Sequence, residues 1–496
     1  MTDKKNDDAP PSKKPIPEPR RFESRHSGSF GGRKVAYRAV ASETYLRDEA
    51  GEPRASIFSA AYLAEDVKDP AERPVTFVFN GGPGSSSMWL HLGLFGPKRV
   101  VVPSDARSAG APPFPVVDNE HAPLDLTDVV IVDPVGTGYS RPVGEGKIED
   151  YWCVEQDARS IVDFVKVWLT ENGRWNSPRF LAGESYGTTR AVAMAERMHG
   201  DFQGAGLNGL ILISTVLDFH TVRFNPGNIL PEVAYFPGFA ATALYHDVVQ
   251  AEDREAFLHE ARTFARTEYA AALLTGLAND PDAARGIAER MAHFIGISPT
   301  VLVRSRLRVD PLRFRKELLR ERGVTVGRLD ARYVGYDPDE AGDAPEADSS
   351  SYAIDTAYVA ATNHHFSRNL GIVMDRPYVG FNRNALLKWD WLGKPNLSAG
   401  FARVWPTSVN VTPGLSRVLR EQPNFEVLIA NGLYDLATPF FACELSLITN
   451  GVNRDRVRMT YYEAGHMMYV HDASLNALAA DVRGLIADAV AKRIQE

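Results

Sequence analysis

The sequence predicts an α/β protein in which a mostly parallel central sheet is interrupted by a large helical insertion. Three observations carry this. Short, continuous apolar runs at 74–80, 127–133, 178–185 and 207–219 have the character of strands buried on both faces. They alternate with stretches of helical spacing at 154–172 and 188–199, the alternation that builds parallel sheets. The pattern breaks over 220–420 and then resumes with FEVLIANG (425–432) and VRMTYYEAG (457–465).

Taken in order, residues 1–20 are rich in proline and charge and are expected to be disordered. Alternation and turn glycines over 27–46 predict a β-hairpin, and ASIFSAAYLAE (55–65) a further strand. The buried strands 74–80 and 127–133 follow. Over 154–172, Ile161, Phe164, Val165, Trp168 and Leu169 recur at helical spacing. The strand 178–185 ends at a turn, the helix 188–199 follows, and 207–219 is again a buried strand. The insertion carries helical stretches at 251–277, 281–293 and 311–322, and an acidic segment, 337–351, expected to be a mobile loop. A helix around 473–495 closes the chain. The expected division is therefore a first core part (21–219), a helical cap (220–420) and a second core part (421–496). The cap would lie over the C-terminal edge of the sheet, where open α/β sheets place their sites.

Bulk composition narrows the function classes. The chain has 496 residues, 44% hydrophobic and 24% charged, enough apolar material for a sizeable core. A net charge of −8 without a basic stripe argues against a nucleic-acid partner. No run of about 18 apolar residues occurs, so no membrane span is expected. Cys153 and Cys443 are too few for a disulfide framework and lack zinc-site spacing; two free buried thiols are expected. The first 21 residues lack the apolar core of a signal peptide, so a cytoplasmic location is expected, with secretion or the periplasm the alternative had a leader been removed.

The strongest chemical motif is AGESYGTTRA (182–191). Gly183-Glu184-Ser185-Tyr186-Gly187 fits G-x-S-x-G between a predicted strand and a predicted helix, the context of a nucleophile elbow in an α/β-hydrolase fold. A serine hydroxyl needs a base, and the partners should follow as Asp or Glu, then His, each at the end of a later strand. NGLYDLATP places Asp435 after one apolar strand and YYEAGHMMY places His466 after the next. Either residue alone reads as a turn-former or a core histidine; with Ser185, in this order, they read as a catalytic triad. The turn Asn80-Gly81-Gly82-Pro83-Gly84 would sit beside the elbow. Acyl transfer needs two N–H donors for the oxyanion: one from Tyr186, another from a glycine of this turn. Ser85, Ser86 and Ser87 are expected to satisfy backbone groups at a helix start. Asn363-His364-His365 has no carboxylate placed with it and reads as a polar face of the cap. Tyr139 and Trp89 fit either a cleft wall or the core.

The segments NGGPGSSS, DPVGTGYS, GESYG, NGLYDLATP and AGHMMY, spanning residues 80–469, resemble the signature segments of the serine carboxypeptidase family, α/β-hydrolases with a helical insertion. The resemblance implies a triad of Ser185, Asp435 and His466, with Gly82 and Tyr186 supplying the oxyanion N–H groups. It implies that Asn80, the Gly81 N–H and Glu184 bind the terminal carboxylate of a peptide substrate, Glu184 being protonated to do so. No cofactor is expected, and no metal, since no ligand cluster with metal spacing occurs in the sequence. Three departures stand out: Ser85 replaces a cysteine common in the family, Leu94 replaces a glutamate that supports the carboxylate site, and members are usually secreted or vacuolar. An esterase or acyltransferase using the same triad is the alternative activity; a binding protein without activity has no need of all three triad residues.

Overall fold

The computed structural model describes residues 16–200, 204–392 and 408–494. Ten strands form one sheet: β1 (Arg21–Phe30), β2 (Arg33–Arg47), β3 (Pro53–Ala64), β4 (Val75–Phe79), β5 (Asp128–Val132), β6 (Arg141–Pro142), β7 (Arg179–Glu184), β8 (Gly209–Ile213), β9 (Glu426–Gly432) and β10 (Val457–Tyr462). Their order is β1-β2-β3-β5-β4-β7-β8-β9-β10, with β6 paired to β3. β1, β2 and β3 run antiparallel to one another, as does β3 to β5. From β5 to β10 every pairing is parallel.

The period of two decides the layers. In β8, Leu210 and Leu212 join one core with Phe77, Leu181, Val427 and Ile429, covered by α1 (Val154–Glu171), α2 (Tyr186–His199) and α7 (Thr412–Glu421). Ile211 and Ile213 face the opposite core with Val78, Ala182, Leu428 and Ala430, under α6 (Ser349–His364) and α8 (Asp472–Ile494). Because both faces are covered, strands such as β9 read as unbroken apolar runs.

Between β8 and β9, α3 (Leu230–Tyr245), α4 (Arg254–Phe264) and α5 (Pro281–Ile295) pack a third core around Phe236, Phe264 and Phe294. The stretch 251–277 is less uniform than its spacing predicts. Asp253 caps α4, the turn widens over Ala265–Tyr269, and a short helix Ala270–Leu274 follows before Gly276 takes a left-handed conformation. The acidic segment forms the expected loop over 337–348, and only its last three residues depart from it. Asp337 is paired with the buried Lys316, Asp348 caps α6 at Ser350 N, and residues 349–351 are already helical. The expected disordered start falls outside the described residues as far as residue 15. Cys153 is half-buried and Cys443 buried, both free thiols.

Candidate active site

β7 ends at Glu184 and α2 begins at Tyr186, so Ser185 alone makes the turn. It does so at φ 60° and ψ −131°, a region that side-chain-bearing residues rarely enter. Ser185 N donates to Ile213 O (3.0 Å) and Thr188 Oγ1 donates to Ser185 O (2.7 Å), which hold the strained residue in place. The side chain is half-buried, and its hydroxyl makes no hydrogen bond among the described residues.

The glycines after β4 are explained by what lies against them. A Cβ on Gly81 would meet the backbone nitrogens of Tyr186 and Gly187 at 2.5 Å and Glu184 O at 2.7 Å. The turn therefore lies in backbone contact with the elbow, an approach open only to glycine. Among the described residues the N–H groups of Gly81, Gly82 and Tyr186 have no hydrogen-bond partner, so three donors cluster at the strand end beside Ser185.

Asp435 and His466 follow β9 and β10. Asp435 is fully buried; Oδ1 accepts Ala437 N (2.7 Å) and Thr438 N (3.0 Å), and Oδ2 accepts Thr438 Oγ1 (2.7 Å). The same Oδ2 lies 2.7 Å from His466 Nδ1. Burial opposes a charge on His466, but the Asp435 charge and hydrogen bond outweigh it and raise the imidazole above its ordinary value. Ser214, which follows Ile213, donates through Oγ to His466 O (2.5 Å), so the β8 end that anchors Ser185 also anchors the histidine loop. The sequence-predicted triad residues thus stand at the ends of β7, β9 and β10, with Asp435 and His466 already joined.

Glu184 is buried and doubly engaged: Asn80 Nδ2 donates to Oε1 (2.8 Å) and Tyr469 OH to Oε2 (2.7 Å). Leu90 N donates to Asn80 Oδ1 (3.0 Å), which orients the amide. Burial pushes the Glu184 carboxyl up to about 7, with Asp435 adding to the rise and His466, Tyr469 and Asn80 opposing it. Asn80, Gly81 and Glu184, the residues that the resemblance groups, thus lie against one another.

Two functional supports escaped the sequence reading. The first is Tyr469, whose signal is its place three residues after His466. Its ring fills space that Gly93 leaves open, since a Cβ there would lie 2.3 Å from the ring. Leu94, beside it, is buried and offers Glu184 no acid. The second is a fully buried pair, Arg190 Nε to Asp157 Oδ2 (2.7 Å). Arg190 Nη1 also donates to Asn80 O (2.6 Å), and Tyr186 OH donates to Asp157 Oδ2 (2.9 Å). One ion pair therefore fixes both Asn80 and Tyr186, on either side of Gly81 and Gly82; nothing in the sequence pairs α1 with α2 at these positions.

Other expectations need correction. Ser85, Ser86 and Ser87 do not cap a helix with their side chains: Ser87 Oγ donates to Val132 O and accepts Asn80 N, and Ser85 Oγ donates to Ser86 O. His365 is not on a polar face. It is buried against Tyr62 OH (3.0 Å), which also binds His91 Nε2 (2.6 Å), and burial brings its imidazole down to about 4. His364 and Asn363 are exposed. Tyr139 packs in the core on Phe58, and the half-buried Trp89 on Tyr358. No cluster of metal-ligating side chains occurs among the described residues, and no helix there is long and apolar enough to cross a membrane.

The profile of the serine carboxypeptidase family matches residues 45–272. Serine carboxypeptidase-like 20 of Arabidopsis thaliana is 26% identical over 201 residues, covering 38% of this chain and 38% of that protein. Serine carboxypeptidase-like 5 of the same plant is 27% identical over 173 residues, 33% of this chain and 37% of that one. The matched part thus spans little more than a third of these relatives. Among solved structures, Kex1 of Saccharomyces cerevisiae, a prohormone-processing carboxypeptidase, superposes with a TM-score of 0.54 over 90% of this chain and 91% of its own at 16% identity, a likeness of fold. The sheet order and the elbow at Ser185 are those of the α/β-hydrolase fold, and residues 45–272 are similar to the serine carboxypeptidase family.

Proposed function

We propose that this protein is a serine-type carboxypeptidase that releases C-terminal residues from peptides through an acyl-enzyme on Ser185. Ser185 Oγ attacks the carbonyl of the last peptide bond while His466 Nε2 takes its proton. Asp435 holds the Nδ1–H and stabilises the imidazolium. The N–H groups of Gly82 and Tyr186 receive the oxyanion. His466 then protonates the departing amine, and water, activated by the same imidazole, releases the acyl group. Asn80, the Gly81 N–H and Glu184 hold the terminal carboxylate, Glu184 sharing its proton with it.

The observation that carries this reading is Glu184 itself: a buried carboxyl directly before the nucleophile, raised to about 7 and hydrogen-bonded to Asn80. An acid kept neutral beside the acyl site suits the capture of a carboxylate. The test is kcat/KM against pH on a matched peptide acid and ester. The peptide acid should lose ground above about pH 7, where Glu184 ionises, while the ester persists because His466 remains a competent base. Glu184→Gln should flatten that decline. Parallel profiles for both substrates, unchanged by the substitution, would favour the second reading, an esterase or acyltransferase with the same triad, for which the apolar Leu94 beside the site speaks.

A further inference from the structure

The loops after β4 and β5 lie side by side, because the two strands are parallel neighbours in the sheet. One extended segment of the insertion, residues 378–382, runs between them. Val379 faces the loop after β5: Gly138 N donates to Val379 O (2.8 Å) and Val379 N to Gly138 O (3.0 Å). Its neighbours face the loop after β4. Ser86 N donates to Gly380 O (3.0 Å) and Asn382 N to Gly84 O (2.7 Å), on either side of the Ser85–Phe381 bridge. A Cβ on Gly84 would meet Asn382 O at 2.6 Å, so the two backbones touch.

Side chains lock this strap along its length. Asn382 Nδ2 donates to Gly136 O (2.9 Å), while its Oδ1 accepts Asn384 N (3.1 Å) and Ala385 N (3.3 Å) as a helix cap. Tyr378 OH donates to the buried Asp133 Oδ1 (3.1 Å), which also accepts Ser87 N (2.8 Å). Ser87 Oγ in turn accepts Asn80 N (3.2 Å). Just upstream, Arg376 donates to Tyr139 O (2.7 Å) and pairs with the buried Glu43 (2.5 Å).

The turn gripped in this way does not stiffen itself. Gly82 and Gly84 sit at φ 104° and 97°, where the lack of a Cβ leaves the backbone few steric limits. Among the described residues its own backbone contributes one bond, Ser85 N to Gly81 O (3.1 Å). The direction of the Gly82 N–H is therefore set by what holds the two ends. Asn80 is held at one end by Arg190, Leu90 N and Ser87, and Gly84 at the other by the strap. Through Asp133 and Ser87, Tyr378 reaches the first end as well. A donor stabilises an oxyanion by being aimed before the charge develops, so the grip on this turn bears on the rate.

We propose that the strap 378–382 is the clasp that aims the Gly82 N–H at the oxyanion, with Asn382 and Tyr378 as its positioning residues. This role rests on reading Gly82 as an oxyanion donor, and it is the same whether a peptide or an ester forms the acyl-enzyme.

The test compares wild type with Tyr378→Phe, Asn382→Ser and the double variant on a nitrophenyl ester and a peptide acid, with active sites counted by fluorophosphonate titration. Serine keeps a helix cap but is too short to reach Gly136 O, so a loss in Asn382→Ser is not the loss of the cap. Each single variant should lower kcat per site on the ester by on the order of tenfold, and the double variant by on the order of a hundredfold, with KM changed by less than about twofold. A peptide boronic acid gives the second readout. Ser185 Oγ adds to boron, its proton passes to His466, and a boron-bound oxygen takes the place of the oxyanion. Its Ki should therefore rise by the factor by which kcat/KM falls. A role in folding alone would lower the number of titratable sites and the melting temperature, and would leave kcat per site and Ki where they are. That result would overturn the clasp. So would a rise in KM with kcat kept, a fall in kcat with Ki unchanged, or a wild type that hydrolyses no ester. A wild type that cleaves esters but no peptide acid would instead sink the carboxypeptidase reading, while the ester series still decided the clasp.

Discussion

Tyr469→Phe isolates the hydroxyl that Glu184 uses in place of a second acid. The bond is 2.7 Å long, between two buried groups, so solvent does not screen it. A hydrogen bond to an ionised group is worth about 1.5–3 kcal/mol, and one pKa unit corresponds to about 1.4 kcal/mol. The hydroxyl stabilises the anionic form of Glu184, so its loss must raise the carboxyl further, from about 7 by roughly one to two units. If the protonated form captures the peptide carboxylate, the alkaline decline in kcat/KM on peptide acids moves up by that amount. Ionised Glu184 also helps to raise His466, so the acid limb stays where it is or moves slightly lower. The assay is kcat/KM from about pH 5 to 10 on a peptide acid and its ester, with a melting curve as the folding control. An alkaline limb that stays in place or moves down in a folded variant would refute the reasoning, because it would mean that Tyr469 does not govern the proton on Glu184.

Ser185→Ala should abolish labelling by a fluorophosphonate and lower turnover by on the order of a million-fold; normal labelling would remove Ser185 from the mechanism. Asp157→Ala leaves Arg190 buried without its partner and should cost about 3–5 kcal/mol, read as a lower denaturant midpoint, with activity lost as Asn80 and Tyr186 shift. Activity should survive exhaustive chelation; loss that zinc restores would contradict a serine-based mechanism.

How much of this was legible in the sequence depends on how local each signal is. The strand after which Ser185 turns, the helix that follows it, and the order Ser185, Asp435, His466 are written in short apolar runs and small residues, and the structure places the three at the ends of β7, β9 and β10. The 27–46 hairpin was equally plain, with Gly31 and Gly32 between β1 and β2. What failed were readings that depend on the other side of a contact. The 363–365 segment looked polar because a histidine's burial is set by its partners, here Tyr62 and His91, which lie hundreds of residues upstream. The acidic run 337–351 read as loop throughout, but its last three residues open α6, capped by Asp348. Arg190 is one of many helix arginines until Asp157 is seen beneath it. Tyr469 hid for a related reason: its role needs the absent Cβ of Gly93, and no spacing rule couples residue 93 to residue 469.

The insertion is more than a cover for the sheet edge. Its segment 327–333 is built into the loops that carry Asp435 and His466 by backbone bonds: Arg328 O accepts Leu436 N, Leu329 O accepts His466 N, and Ala331 N donates to Tyr434 O. Two of these fall next to Asp435 and one falls on His466, so the spacing between acid and base is set partly by a segment whose sequence carries no catalytic motif. The buried pair Asp330–Arg332 (2.6 Å) stiffens the turn that makes these bonds. A change that loosens it, such as Asp330→Asn, leaves every triad side chain in place yet frees the backbone beneath His466. It should lower kcat on esters and peptides alike by about tenfold, the effect of a small misplacement of the base. A change confined to one substrate class would instead mean that the turn shapes the cleft alone and that the acid–base pair is positioned entirely by the sheet.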